Sequence, residues 1–262
     1  MHPVLCQIQN GVAHLTLNRP KIHNAFDDEL IGALTEQLKA LNDDRSVRAV
    51  VLCGAGKSFS AGADLGWMKR MAQASEKENR KDARQLAKLM RTLNALGKPT
   101  IARVQGAAMG GGVGLVACCD IAVASDGARF ALSETRLGLV PAVISPYVVD
   151  AIGARQARRY FLTAETFDAA TARALGLVHE VVAENQLDAT IDALISKLLE
   201  CGPRAVHEAK RLVQRIAHPD AKARRELDEL NADLIAELRV GKEGQEGLSA
   251  FFDKRPPAWK PS

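Results

Sequence analysis

Aromatic side chains are scarce: two Trp, two Tyr and seven Phe make up 4% of the 262 residues. A surface that stacks nucleic-acid bases draws on more of them than that. Neither charge sign dominates. The 35 basic and 31 acidic residues are interspersed and leave a net charge of +4, too mild for a nucleic-acid or membrane footprint. No apolar run approaches the ~18 residues of a membrane span, and no basic-then-apolar signal segment opens the chain. The five cysteines (Cys6, Cys53, Cys118, Cys119 and Cys201) are odd in number and scattered, with no CxxC pair. They read as reduced, mostly buried thiols. The six histidines form no i, i+4 pair, so no metal site is expected. These absences lead to a soluble, cytoplasmic protein with no nucleic-acid or membrane partner.

What is present is a globular balance, 47% hydrophobic and 25% charged. The length suits one core with an appended helical piece. Asn10-Gly11 between two alternating runs, Val4 to Gln9 and Val12 to Leu17, predicts a β-hairpin. A helix is expected from Asp27, with Leu30, Ile31, Leu34, Leu38 and Leu41 on one face. Val47 to Cys53 is nearly unbroken in apolar character and reads as a buried strand, followed by strands at Thr100 to Val104 and Ile121 to Ala124. Asp64 to Leu96 reads as a charged helical region. From Ile152 to Phe252 the pattern is almost wholly helical, with stripes at Leu187 to Leu199, Arg204 to Ile216 and Arg225 to Leu238. The order gives an α/β core with a C-terminal helical layer. The tail from Lys254 to Lys260 is expected to lie extended.

Two segments place small residues where the chain leaves a strand and enters a helix. One is Ser58-Phe59-Ser60-Ala61-Gly62-Ala63-Asp64; the other runs from Gln105 to Gly114 and contains Gly110-Gly111-Gly112. At such junctions the first helical amides have no intrahelical partner and the dipole favours negative charge. Gly112 to Ala117 fits GxGxxA, but it lies too far past Val104 and too near Ile121 for a dinucleotide crossover. Neither a complete P-loop nor a GxSxG nucleophile elbow is present. Two amide-bearing loops without a Ser or Cys nucleophile suggest a split oxyanion hole for a thioester carbonyl, as against two tight turns. Glu134 is the only acid among mostly small and apolar residues from Phe130 to Pro141. It is either a proton shuttle with a raised pKa or a structural partner of Arg136 or Arg129.

Several marks together resemble the crotonase (enoyl-CoA hydratase/isomerase) superfamily over nearly the whole chain. They are Leu17-Asn18-Arg19-Pro20 with Asn24-Ala25, Phe59 to Leu65, Gly106 to Gly112, Cys119-Asp120-Ile121, Phe130 to Pro141 and Phe251 to Arg255. The resemblance implies a spiral of ββα units over residues 1–195 and a C-terminal helical trimerisation region over 196–262. It implies a homo-trimer or a hexamer built as a dimer of trimers. It also implies an acyl-CoA thioester substrate with no separate cofactor, since coenzyme A is part of the substrate. By position, the amides of Ala63 and Gly111 would hold the carbonyl oxygen and Glu134 would be the acid/base. Lys21, Ala25, Ala61, Gly62, Asp64, Leu65, Gly110, Gly114 and Pro141 would contribute to binding, and Lys254 would reach a coenzyme A phosphate. Asp64 and Asp120 also fit cap and structural roles.

The sequence departs from the family pattern at Gly114, where typical hydratases carry a first glutamate, and at Ala142 to Tyr147, where many have a glycine-rich run. Gly110 to Val116, Leu137 to Pro146 and Gly66 to Met71 look like the bacterial methylglutaconyl-CoA hydratase branch. The resemblance therefore implies hydration of a branched acyl-CoA with a second carboxylate, in leucine or acyclic-terpenoid breakdown. The alternatives are a double-bond isomerase using Glu134 alone and a non-catalytic acyl-CoA binder. Lys69 and Arg70 are candidates for the second carboxylate, and Trp67, Met68 and Met71 for the pocket wall.

Overall fold

A computed structural model describes residues 2–217 and 220–259. The expected hairpin is formed by β1 (Val4–Gln9) and β2 (Val12–Leu17), with Asn10 and Gly11 at φ +51° and +78°. Both turn residues thus take the positive φ of the tight hairpin turn whose twist matches the strands. Next comes α1 (Asp28–Asp43), capped by Asp27, whose carboxylate accepts from the Leu30 N–H at 2.9 Å. Its five expected apolar positions are all buried.

The chain continues through β3 (Ala49–Gly54), α2 (Leu65–Gln73), α3 (Glu76–Asn94), β4 (Thr100–Val104), β5 (Ala107–Met109), α4 (Gly111–Cys118), β6 (Ile121–Ser125) and β7 (Arg129–Ala131). The single charged helical stretch expected over 64–96 is two helices. Ala74 closes the first and Ser75 caps the second, the side chains of Ser75 and Glu78 closing a reciprocal capping box.

The C-terminal third holds α5 (Ser145–Thr163), β8 (Phe167–Asp168), α6 (Ala169–Leu175), β9 (Glu180–Val182), α7 (Leu187–Glu200), α8 (Pro203–Ala217), α9 (Ala221–Val240) and α10 (Lys242–Phe252). Two short strands thus interrupt a region expected to be almost wholly helical. The expected boundary between residues 195 and 196 falls within α7.

The larger sheet runs β1-β2-β3-β4-β6-β9, parallel except for the hairpin pair; the smaller runs β5-β7-β8. Both faces of the larger sheet are covered. Val50, Leu52, Ala102, Val104, Ala122 and Ala124 face the main core. The alternate residues Val51, Ile101 and Val123 pack on Leu187, Ile191 and Ile195 of α7. Burial on both faces is why these strands lack polar alternation.

The tail does not lie extended. Arg255 turns back to pair with Glu246 on α10 at 2.7 Å, and the Ala258 N–H donates to the same carboxylate at 2.8 Å. Lys260 lies outside the described residues. None of the five cysteines forms a disulfide; Cys118 and Cys119 are buried, Cys6 and Cys53 half-buried, and Cys201 is exposed. No described helix is long and apolar enough to cross a membrane.

Candidate active site

The two small-residue loops lie side by side because their backbones bond to each other. Ser60 donates to the Ala107 carbonyl and accepts from the Met109 N–H, both at 2.9 Å. The first loop is also tied to the segment before α1: Phe26 N–H donates to Gly62 O at 2.6 Å, and Asp64 N–H to Phe26 O at 2.7 Å. Between those two bonds stands the Ala63 N–H, which donates to no acceptor in the described protein. The Gly111 N–H, at the first position of α4, is likewise unpaired, as helix geometry requires of an uncapped N-terminus. A Cβ on Gly111 would stand 2.6 Å from Phe26 Cε2, so only glycine lets α4 approach Phe26 this closely.

Arg19 and Asn24 hold this arrangement from behind. The Arg19 guanidinium bonds Asp27 at 2.7 Å, Asp64 at 3.3 Å and the Ala25 carbonyl at 2.8 Å. It therefore links the caps of α1 and α2, since Asp64 also accepts from the Trp67 N–H. Asn24, fully buried, donates to the carbonyls of Ala55 and Ser58.

Ala63 and Gly111 both open on one cavity of about 500 Å³, whose lining also includes Ala61, Gly62, Leu65, Gly110, Glu134 and Pro141. Glu134 begins the 3-10 turn Glu134–Leu137 and forms no ion pair with Arg136 or Arg129. Its Oε2 is sealed from solvent without a hydrogen-bond partner. Burial pushes its pKa up to about 7, with its own backbone N–H pulling the other way. Its Oε1 lies 3.0 Å from where a Cβ on Gly110 would stand, and Gly110 itself has φ +48°. Any other residue there would be strained and would press on the carboxyl.

The remaining expected residues are not in the lining. Lys21 and Lys254 are exposed, Ala25 is buried beneath the first loop, and Asp64 serves as cap and ion-pair partner. Asp120 accepts from Thr100 and pairs with Lys210 at 2.7 Å, a structural use. Gly114 is closed off: a Cβ there would meet Ile144 Cγ2 at 2.4 Å, so the Ile144 side chain fills the space a longer residue would need.

Trp67 and Met68 line the cavity, whereas Met71 does not. Nor do Lys69 and Arg70, and Arg70 pairs with Asp28 at 2.6 Å. The cations in the lining are Arg136 and Arg239, which helix spacing around residue 69 could not reveal. Ile235 and Arg239 of α9 and Leu248 and Phe251 of α10 also wall the cavity. Their contribution comes from contacts across more than a hundred residues of sequence, with Phe251-Phe252 as the one local hint. Among the described residues no cluster of His, Cys, Asp and Glu could hold a metal.

The sequence pattern of the family described as Enoyl-CoA hydratase/isomerase matches residues 7–262. An enoyl-CoA hydratase from Shewanella pealeana has a solved structure that superposes with a TM-score of 0.81 at 43% identity, covering 98% of this chain and 96% of that one. The 2,3-dehydroadipyl-CoA hydratase of Escherichia coli is 33% identical over 99% of both chains. The short-chain-enoyl-CoA hydratase of Clostridium acetobutylicum is 32% identical over 97% of this chain and 96% of its own length.

Proposed function

The chain belongs to the enoyl-CoA hydratase/isomerase family, and on that footing we propose that it adds water across the 2,3 double bond of an enoyl-CoA thioester. The observation that carries this reading is a sealed carboxyl, Glu134, sharing one cavity with two unpaired amides from separate loops. The N–H groups of Ala63 and Gly111 donate to the thioester oxygen and stabilise the negative charge it gains in the enolate. Ionised Glu134 takes a proton from water as the water oxygen bonds to C3 and the double-bond electrons move toward the thioester. The same carboxyl then returns that proton to C2 as the enolate collapses. A pKa near 7 suits a group that must both take and give a proton at neutral pH.

The acyl group in this reading is branched and bears a second carboxylate, of the methylglutaconyl type. Its support is the likeness of Gly66 to Met71, Gly110 to Val116 and Leu137 to Pro146 to that branch. Lys21, Ala25 and Asp64 serve the coenzyme A side in this reading, and Lys254 reaches a phosphate, from the exposed rim rather than the cavity. The assembly is a homo-trimer or a hexamer; Leu212, Val213 and Ile216 on α8 and Leu227, Leu230 and Leu234 on α9 are exposed apolar residues that suit a subunit contact.

A second reading has a specific observation behind it. With Ile144 against Gly114, only one carboxyl stands in the lining, which also suits an isomerase that moves a proton from C2 to C4 of a 3-enoyl-CoA. The test supplies the purified protein with 3-methylglutaconyl-CoA, crotonyl-CoA and a 3-enoyl-CoA and reads product masses. Gain of water on the methylglutaconyl ester is expected. An unchanged mass with a migrated double bond on the 3-enoyl ester alone would replace the hydratase by the isomerase. Ala63→Pro removes an N–H that bonds nothing in the protein, so it spares the fold's own hydrogen bonds. It is expected to lower turnover ~10²–10³-fold. Turnover of none of the three esters would favour a non-catalytic acyl-CoA binder.

A further inference from the structure

Three charged side chains stand in the lining of an otherwise largely apolar cavity: Glu134, Arg136 and Arg239. Arg239 is already engaged. Its guanidinium bonds Asp82 at 3.1 Å and Asn79 at 3.2 Å and lies 5.3 Å from the centre of the Trp67 ring. Arg136 is not. Among the described residues its guanidinium has neither an acidic partner nor a hydrogen bond, and its neighbours in the lining include Leu137, Leu139 and Val140.

Glu134 and Arg136 are two residues apart on one 3-10 turn. With three residues per turn, positions i and i+2 project to different sides, so the turn presents an acid and a cation that do not neutralise each other. A guanidinium offers a planar fork of donors matched to two oxygens of one anion, and Arg136 presents that fork from the solvent side of the cavity. Arg136 also shares its turn with the proposed acid/base rather than with the loops that carry the two amides. Arg136 is itself exposed, and its assignment to the acyl side rests on that shared turn and on its place in the cavity lining.

We infer that Arg136 receives the distal carboxylate of the acyl chain and selects dicarboxylic over simple acyl-CoA thioesters. This rests on the reading that the cavity takes an acyl-CoA; it does not depend on which reaction follows. The shared chemistry is a pair of anionic oxygens, and a coenzyme A phosphate is the other possible source of them.

The experiment measures binding of glutaryl-CoA, pentanoyl-CoA and free coenzyme A by titration calorimetry. The two esters have the same five-carbon chain, with and without a terminal carboxylate, and neither has a double bond to hydrate. Wild-type protein is expected to prefer glutaryl-CoA by ~10–100-fold, the span of one charge-assisted contact. Arg136→Met should bring that ratio close to one, and Arg136→Lys should keep part of it. Arg70→Met, outside the cavity, should keep the full ratio. An equal loss of all three ligands in Arg136→Met would put the guanidinium on a coenzyme A phosphate and overturn the inference. So would an unchanged ratio. Crotonyl-CoA and 3-methylglutaconyl-CoA hydration is followed in parallel. A wild-type protein that discriminates glutaryl-CoA yet hydrates neither ester would sink the hydratase reading and leave the role of Arg136 standing.

Discussion

Glu134, the proposed acid/base, also weakens the fold. Its folded pKa of about 7 lies above its ordinary value of 4.5, so the native state holds a proton that the unfolded chain has lost. Below about pH 4.5 both states are protonated and no ionisation penalty remains. The penalty grows as pH rises through that window and is complete above about 7. Glu134→Gln is therefore expected to lower kcat by ~10²–10⁴-fold. It should also raise Tm at pH 8, with no gain at pH 4, as read by thermal melts across pH. In the wild type, kcat/KM for hydration should rise with pH through about 7, because the free enzyme needs the ionised form. A second residue-level expectation concerns Gly114. Gly114→Ala drives a Cβ to within 2.4 Å of Ile144 Cγ2 and should cost about 1–3 kcal/mol by urea unfolding. Ile144→Ala alone leaves a hole and should cost about 2–5 kcal/mol. The double variant should lose less than the sum, since each change relieves the other. At this level the sequence was informative about Glu134, isolated among apolar neighbours. It was silent about Ile144 against Gly114, because nothing local says which side chain from thirty residues away fills a glycine's space.

Helices α3 and α9 show how elements carry the site. Arg80, Arg84 and Arg91 of α3 pair with Asp233, Glu229 and Asp228 of α9. Farther along, Arg239 of α9 pairs with Asp82 of α3, both side chains being largely shielded at 14% and 12% exposure. Burial pushes the Asp82 pKa up, with Arg239 and the Trp67 N–H pulling against it. Arg239→Met leaves that acid shielded without its cation and should cost about 3–5 kcal/mol. It should also raise KM, because Arg239 and Ile235 wall the cavity. Asp82→Asn/Arg239→Met should recover part of the stability, measured by the same melts. The hairpin, α1 and the doubly buried strands were legible because each carries its own period or turn. β5, β7, β8 and β9 were not. They are two or three residues long and exist through partners elsewhere in the chain, too short for any alternation to register. The tail departs from its sequence expectation for a related reason: its two prolines suggest extension, while Glu246 draws Arg255 and the Ala258 N–H back onto α10.

Across the whole molecule, the apolar faces of α8 and α9 remain to be covered. Val213 is 67% exposed and Ile216 73%, and no described residue of α8 is buried. Light scattering on the eluting protein should give a trimer or hexamer mass. Val213→Glu with Ile216→Glu should shift it toward the monomer while circular dichroism stays unchanged. A monomeric wild type would remove the assembly from the proposal. The cavity itself is drawn from almost the full length of the chain, from Phe26 before α1 to Phe251 at the end of α10. Synthesis on the ribosome proceeds from one end, so the amide loops and Glu134 emerge long before the helices that roof them. Until α9 and α10 arrive, the nascent chain shows Trp67, Met68 and Val140 to whatever is nearby, a time window in which chaperones matter. Once the last helix docks, a ligand that touches both ends of the chain becomes a clasp on the finished fold, and its arrival favours completion over reopening.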